Sequence, residues 1–176
     1  GGNTWSFVHP VNTNRKVSCL AQDPRPGFQD TWYAGTGELF GASAAYPNAF
    51  VPGNGVLKST DNGQTWTLLA STAGGSATAF DNLFDIVFNI KVAPDGVVYA
   101  AILNRILRSA DGGTSWTSVF FESSQPSDIE GMATDIAIST DGSKLYAALS
   151  GRSNDPDTAG VWQSTTGLFN SWSRIA

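Results

Sequence analysis

Reactive side chains are scarce in this chain. Its 176 residues include one cysteine, one histidine and one methionine. A single thiol cannot build a disulfide framework within the chain, so cysteine usage is silent on compartment. That thiol, Cys19, stands in the alternating segment VSCLAQ and reads as a small buried apolar residue. A nucleophilic thiol wants an imidazole beside it, and the one histidine, His9, falls in a loop-like stretch. Charge is sparse too: Asp, Glu, Lys and Arg make up 14% of residues, with a net charge of −5. No basic stripe is present to neutralise phosphates, so nothing supports nucleic-acid binding. No apolar run reaches the roughly 18 residues of a membrane-crossing helix. Helical periodicity is absent as well, FDNLFDIVF (80–88) being the one stretch that could pass as helical. Low charge beside 11% aromatics argues against disorder.

Glycine (19 residues) and tryptophan (6 residues) are plentiful, which suits a loop-rich all-β chain. The eight residues STDNGQTW (59–66) return fifty positions later as SADGGTSW (109–116). A decayed third copy, STTGLFNSW (164–172), has Thr166 in the Asp position and one extra residue. The opening GGNTW matches the tail of a fourth copy, ending at Trp5. The tryptophans concerned stand at 5, 66, 116 and 172, at intervals of 61, 50 and 56. Segments before each turn repeat as well. VSCLAQDP, NIKVAPDG and DIAISTDG are alternating strands running into turns. TWYAGTG, VVYAAIL and KLYAALS share a central Tyr-Ala, and GVLKS, RILRS and GVWQS lead into the S-x-D turn. The result is four short strands per unit, the pattern of β-propeller blades.

Within the turn, Asp61 and Asp111 are expected to accept hydrogen bonds from amides of their own turn, as Asx turns do. The following glycines supply positive φ. Ser59, Asp61, Gly63 and Trp66, with Ser109, Asp111, Gly113 and Trp116, are therefore structural, as are Trp172 and Trp5. Their indoles are expected between sheets.

The S-x-D-x-G-x-T-W turn resembles the Asp-box of bacterial sialidases, xyloglucan-cleaving endoglucanases, sortilin-type receptors and a plant photosystem assembly factor. The stretch DTWYAGTGE…GNGVLKSTDNGQTWTLL most resembles secreted, surface-associated Asp-box (BNR-repeat) proteins of Bacteroidetes-type bacteria, often grouped with sortilin-like propellers. The resemblance covers the whole chain. It implies an all-β fold of about three four-stranded blades: blade 1 near 15–70, blade 2 near 85–121, blade 3 near 134–176, with residues 1–5 ending a preceding Asp-box. It also implies an extracellular or cell-surface bacterial location. Propellers close with about four to eight blades. Three blades are therefore expected to belong to a longer propeller, completed by further blades or by a partner.

Short turns on one face leave the long segments 7–16, 38–54, 70–85, 122–133 and 151–159 on the other, where a rigid scaffold presents function. Eight of the fifteen acidic residues fall there: Glu38, Asp81, Asp85, Glu122, Asp128, Glu130, Asp155 and Asp157. Only Arg15, Lys16 and Arg152 oppose them. Phe40, Tyr46 and Phe50 add aromatic surface. Such a face suits sugar rings, a basic peptide or a calcium ion; no other cofactor and no resident metal site is indicated. Glycoside hydrolysis needs two carboxylates about 5–10 Å apart. Glu38 is the best single candidate and Asp85 one conceivable partner. The sialidase R-I-P sequence is missing, because Arg105–Ile106 and Arg174–Ile175 are not followed by proline. The reading favoured is a non-catalytic propeller binding glycan or protein. The alternative is a propeller glycoside hydrolase, or a piece of one, using Glu38.

Overall fold

The structure is a computed structural model that describes residues 16–38, 51–76, 78–103, 105–120, 132–150 and 159–176. Twelve strands form three sheets. The first contains β1 (Val17–Gln22), β2 (Trp32–Thr36), β3 (Val56–Ser59) and β4 (Thr67–Leu68). The second contains β5 (Val87–Val92), β6 (Val98–Ile102), β7 (Arg105–Ser109) and β8 (Thr117–Phe120). The third contains β9 (Met132–Ile138), β10 (Leu145–Ser150), β11 (Gly160–Ser164) and β12 (Ser173–Arg174). Each sheet is an antiparallel meander in chain order. No helix occurs among the described residues; the stretch FDNLFDIVF, the one place with a helical look, is a turn leading into β5.

Register repeats along with sequence. Tyr33 pairs with Lys58, Tyr99 with Arg108 and Tyr146 with Gln163. The serine that opens each S-x-D turn stands opposite the residue before the tyrosine: Ser59 with Trp32, Ser109 with Val98, Ser164 with Leu145. A one-residue slip would send every buried side chain to the wrong face, so the buried pattern holds this register.

The sheets stack face to face through their first two strands, β1 and β2 against β5, and β5 and β6 against β9. The middle sheet is therefore covered twice. All five residues of β6, Val98 to Ile102, are buried. Val98, Ala100 and Ile102 join Ala21, Tyr33, Val56 and Val87 in one core. Tyr99 and Ala101 join Ile106, Phe120, Ile136, Leu145 and Leu149 in the other. A strand buried on both faces reads as a continuous apolar run, which VYAAI is. In β10 the burial alternates, with Leu145, Ala147 and Leu149 inward and Tyr146, Ala148 and Ser150 half-buried on the far side.

One contact recurs at each junction. The Tyr33 hydroxyl donates to the carbonyl of Gly112 in the next sheet's S-x-D turn, at 3.3 Å. One junction on, the Tyr99 hydroxyl sits against Gly167, whose φ is 64° and where a Cβ would lie 2.3 Å from that oxygen. Gly167→Ala should therefore lower unfolding free energy by about 1–3 kcal/mol, through both positive φ and the clash. Urea denaturation checks this. Because the steric part needs the hydroxyl, adding Tyr99→Phe should cost less than the sum of the two single changes.

Candidate functional site

In a four-stranded meander the first and third turns share one edge, and the middle loop and the crossing to the next sheet share the opposite edge. The chain accordingly has two faces, one of tight S-x-D turns and one of longer loops.

On the turn face, Asp61 Oδ1 accepts from the Thr65 amide at 2.8 Å and from the Ser59 hydroxyl at 2.7 Å, while Oδ2 accepts from the Thr65 hydroxyl at 2.6 Å. Ser59 Oγ in turn accepts from the Gly63 amide at 2.9 Å. The second turn repeats this atom for atom with Asp111, Ser115, Ser109 and Gly113. Those donors hold Asp61 at about 2 and Asp111 lower still, with the Thr65 and Ser115 hydroxyls the largest cause. In the third turn Thr166 has no carboxylate. Ser171, which precedes Trp172 as Thr65 precedes Trp66, shares a 2.6 Å hydrogen bond with Ser164, which still accepts from the Gly167 amide at 2.8 Å.

The tryptophans of these turns are half-buried, less enclosed than the expected burial between sheets. They lie at the outer end of each blade, and Trp116 and Trp172 lean on the rim of a core. Trp116 meets Phe84 edge-on at 5.5 Å and donates to Ser71 at 3.2 Å. Trp172 stacks obliquely on Phe120 at 4.9 Å. Trp66 donates to Gly63 at 3.1 Å.

On the loop face, the middle loop of the first blade is gathered at its base. Glu38 and Val51 exchange backbone hydrogen bonds of 2.8 and 2.9 Å. Beneath them the Gly53 amide donates to the Asp85 carbonyl at 2.7 Å, and Thr36 Oγ1 donates to the Gly55 carbonyl at 2.6 Å. Gly37 has φ 94°, and a Cβ there would stand 2.0 Å from the Asp85 carbonyl oxygen, so only glycine lets the two segments touch. The sequence candidates Glu38 and Asp85 thus lie on adjoining segments. Their carboxylates differ in access. Glu38 is half-buried at the mouth of the loop. Asp85 is 2% exposed, and its Oδ2 accepts from the amides of Asp81 and Asn82 at 2.7 and 2.6 Å. Its Oδ1 is buried without a partner. Burial raises its pKa, with the Asp81 charge adding to the effect. Asp81 is exposed and accepts from the Ser76 amide at 3.0 Å.

Phe40, Tyr46, Phe50, Asp128, Glu130, Asp155 and Asp157 lie outside the described residues, as does Trp5. Among the described residues no group of three His, Cys, Asp or Glu is arranged to hold a metal ion. No described helix is long and apolar enough to cross a membrane. Cys19 is half-buried between β2 and β5, and burial pushes its thiol up. Two residues that sequence reasoning passed over, Arg25 and Arg108, stand out at the junctions. Their signal was their place beside an Asp turn and opposite a tyrosine.

Stacked four-stranded meanders joined through their innermost strands are blades of a β-propeller. Solved structures carry the same arrangement. They include the GH74 xyloglucanase from Xanthomonas campestris (18% identity, TM-score 0.61, covering 92% of this chain and 22% of that one). YCF48 from Cyanidioschyzon merolae matches at 15% identity and TM-score 0.54, over 93% of this chain and 38% of that one. The extracellular domain of a hybrid two-component system from B. thetaiotaomicron matches at 11% identity and TM-score 0.55, over 90% and 16%. The chain thus spans 16 to 38% of these proteins, and at such identities the likeness is one of fold. No protein-family model and no curated protein matches the sequence.

The carboxylates give opposite pH dependences. Asp61 and Asp141, both held near 2 against a usual 3.8, contribute stability that is complete above about pH 4 and lost as pH falls toward 2. Asp85, raised above 3.8, opposes folding as pH rises through its native pKa. Stability followed by denaturation from pH 2 to 7 should fall steeply below pH 4. Asp85→Asn should remove the decline on the neutral side and leave the acid limb in place.

Proposed function

We propose that this chain is part of a larger Asp-box propeller that binds glycan or protein through its loop face and does not itself hydrolyse it. The observation supporting this is the seclusion of Asp85. Of the two acids that adjoin at the loop base, one is closed away and committed to its own turn amides. Glu38 then acts as a hydrogen-bond acceptor at the mouth of the loop that carries Phe40, Tyr46 and Phe50, and the aromatics offer flat apolar surface to sugar rings. Asp81, Asp128, Glu130, Asp155 and Asp157 extend the acidic surface, which would also accept a calcium ion. The location is extracellular or at the cell surface of a bacterium, as the sortilin-like resemblance implies. Further blades, from the same protein or a partner, complete the ring.

A second reading is favoured by the fold shared with a xyloglucanase: a glycoside hydrolase in which Glu38 works with a carboxylate from another loop. The two separate cleanly. Under the binding reading, native gels containing xyloglucan or mixed-linkage β-glucan retard the protein, no reducing ends are released, and Glu38→Gln weakens retardation about tenfold or less. Release of reducing sugar that Glu38→Gln lowers by about a hundredfold or more would establish the hydrolase instead.

A further inference from the structure

The two blade junctions are built to one plan but are filled differently on the turn face. At the first, Lys58 donates to the Gly112 carbonyl at 2.9 Å, beside the Tyr33 hydroxyl. Arg25, paired with the buried Asp23 at 2.6 Å, lies across the turn of the second blade, where a Cβ on Gly96 would stand 2.1 Å from the guanidinium carbon. The junction is closed by cations and arginine stem. At the second junction the position matching Arg25 is Asp95, and the position matching Lys58 is Arg108. Pro94 approaches Gly142 there instead. A cleft of about 410 Å³ remains, bordered by Pro94, Asp95, Tyr99, Arg108, Asp141 and Thr166. That volume is in the range of small-molecule sites, roughly 300–1,000 Å³.

Its polar groups are incompletely used. Arg108 Nε is buried with no acceptor, and the Tyr99 hydroxyl is the side-chain partner of its guanidinium. Among the described residues no carboxylate comes within ion-pair distance of Arg108, because the one ion pair is Arg25 with Asp23. Asp141 Oδ1 accepts from Ser139, the Ser143 amide and the Ser143 hydroxyl, and Asp95 Oδ1 accepts from the Val97 amide. Each therefore turns one carboxylate oxygen to its own hairpin and leaves the other available.

We propose that this cleft between the second and third blades, on the face of the S-x-D turns, binds a neutral saccharide residue. Charge selects the class. Two carboxylates beside one guanidinium leave a net negative charge, which disfavours an added anion. A neutral polyol uses both kinds of group, where a cation would leave the guanidinium without an acceptor: its hydroxyls donate to Asp95 and Asp141 and accept from Arg108 and Thr166. Two acceptors on separate hairpins suit several hydroxyls better than one ammonium. The site stands on residues distinct from those of the loop face and is independent of that reading.

The test is NMR titration of the protein with D-glucose, D-xylose, D-galactose and cellobiose, with D-glucuronate as the anionic control. Saturable shifts of the Arg108 Nε–H and of amides 93–97, 139–143 and 165–167 with at least one neutral sugar are expected. Arg108→Gln and, separately, Asp95→Asn should weaken that binding about tenfold each, the loss of one charge-assisted hydrogen bond. Asp95 is exposed, so its variant keeps the test valid if Arg108→Gln unfolds. No saturable shift with any neutral sugar overturns the proposal. So do a response to glucuronate alone, shifts confined to amides 36–38 and 51–55, and binding that neither variant weakens.

Discussion

A tyrosine hydroxyl set against the left-handed turn of the next blade is the contact on which the arrangement of this chain depends. A hydrogen-bonded sheet fixes strands within a blade but says nothing about the angle between blades. That angle is fixed where Tyr33 reaches Gly112 and where Tyr99 reaches Gly167. Both glycines have positive φ, 68° and 64°, and neither could carry a side chain without displacing the tyrosine oxygen or the Lys58 ammonium beside it. The buried hydroxyl needs a partner, and the turn carbonyl is the acceptor at the first junction. The Ser–Asp network therefore does more than close a hairpin. By fixing the turn it presents a carbonyl at a set position for the neighbouring blade.

The acid-poor interior and the acid-rich turns follow from the same economy of charge. Asp61, Asp111 and Asp141 stay ionised because amides and hydroxyls converge on them, and they remain at the surface where solvent still helps. Asp85 is the exception. Two amides meet one of its oxygens and nothing meets the other, so burial outweighs the hydrogen bonds and its pKa rises. A group in that condition holds its turn and the base of the neighbouring loop through its backbone carbonyl, which accepts from Gly53. Its chemistry is inward.

Much of the fold was legible because it is written three times. The Tyr-Ala strand, the S-x-D turn and the spacing between them return with the same register, and any one copy interprets the others. What was not legible is what occurs once. The sequence DNLF at 81–84 is not repeated elsewhere in the chain, so nothing announced that Asp85 would cap it. The indoles were placed too deep, since their spacing marks the blade edge and only packing against Phe84 or Phe120 reveals that they lean on the rim. In the third turn, where Thr166 stands in the Asp position, the Ser171 hydroxyl at the place of Thr65 and Ser115 bonds Ser164 directly, an exchange that the missing carboxylate does not announce.

Difference between repeats is also where this scaffold acquires chemistry. A repeat held to one pattern closes every junction alike, as Arg25 and Lys58 close the first. An aspartate, Asp95, at the arginine's place removes a long stem from the second junction, and replacing the lysine by Arg108 exchanges a compact cation, which reached a carbonyl, for a planar one whose Nε finds none. Neither change touches the core: Asp95 is exposed, and the register of β6 with β7 is that of β2 with β3. The blade keeps its fold while the space above it opens, bordered by a guanidinium that Tyr99 holds and by two exposed aspartates that each keep one oxygen for another donor.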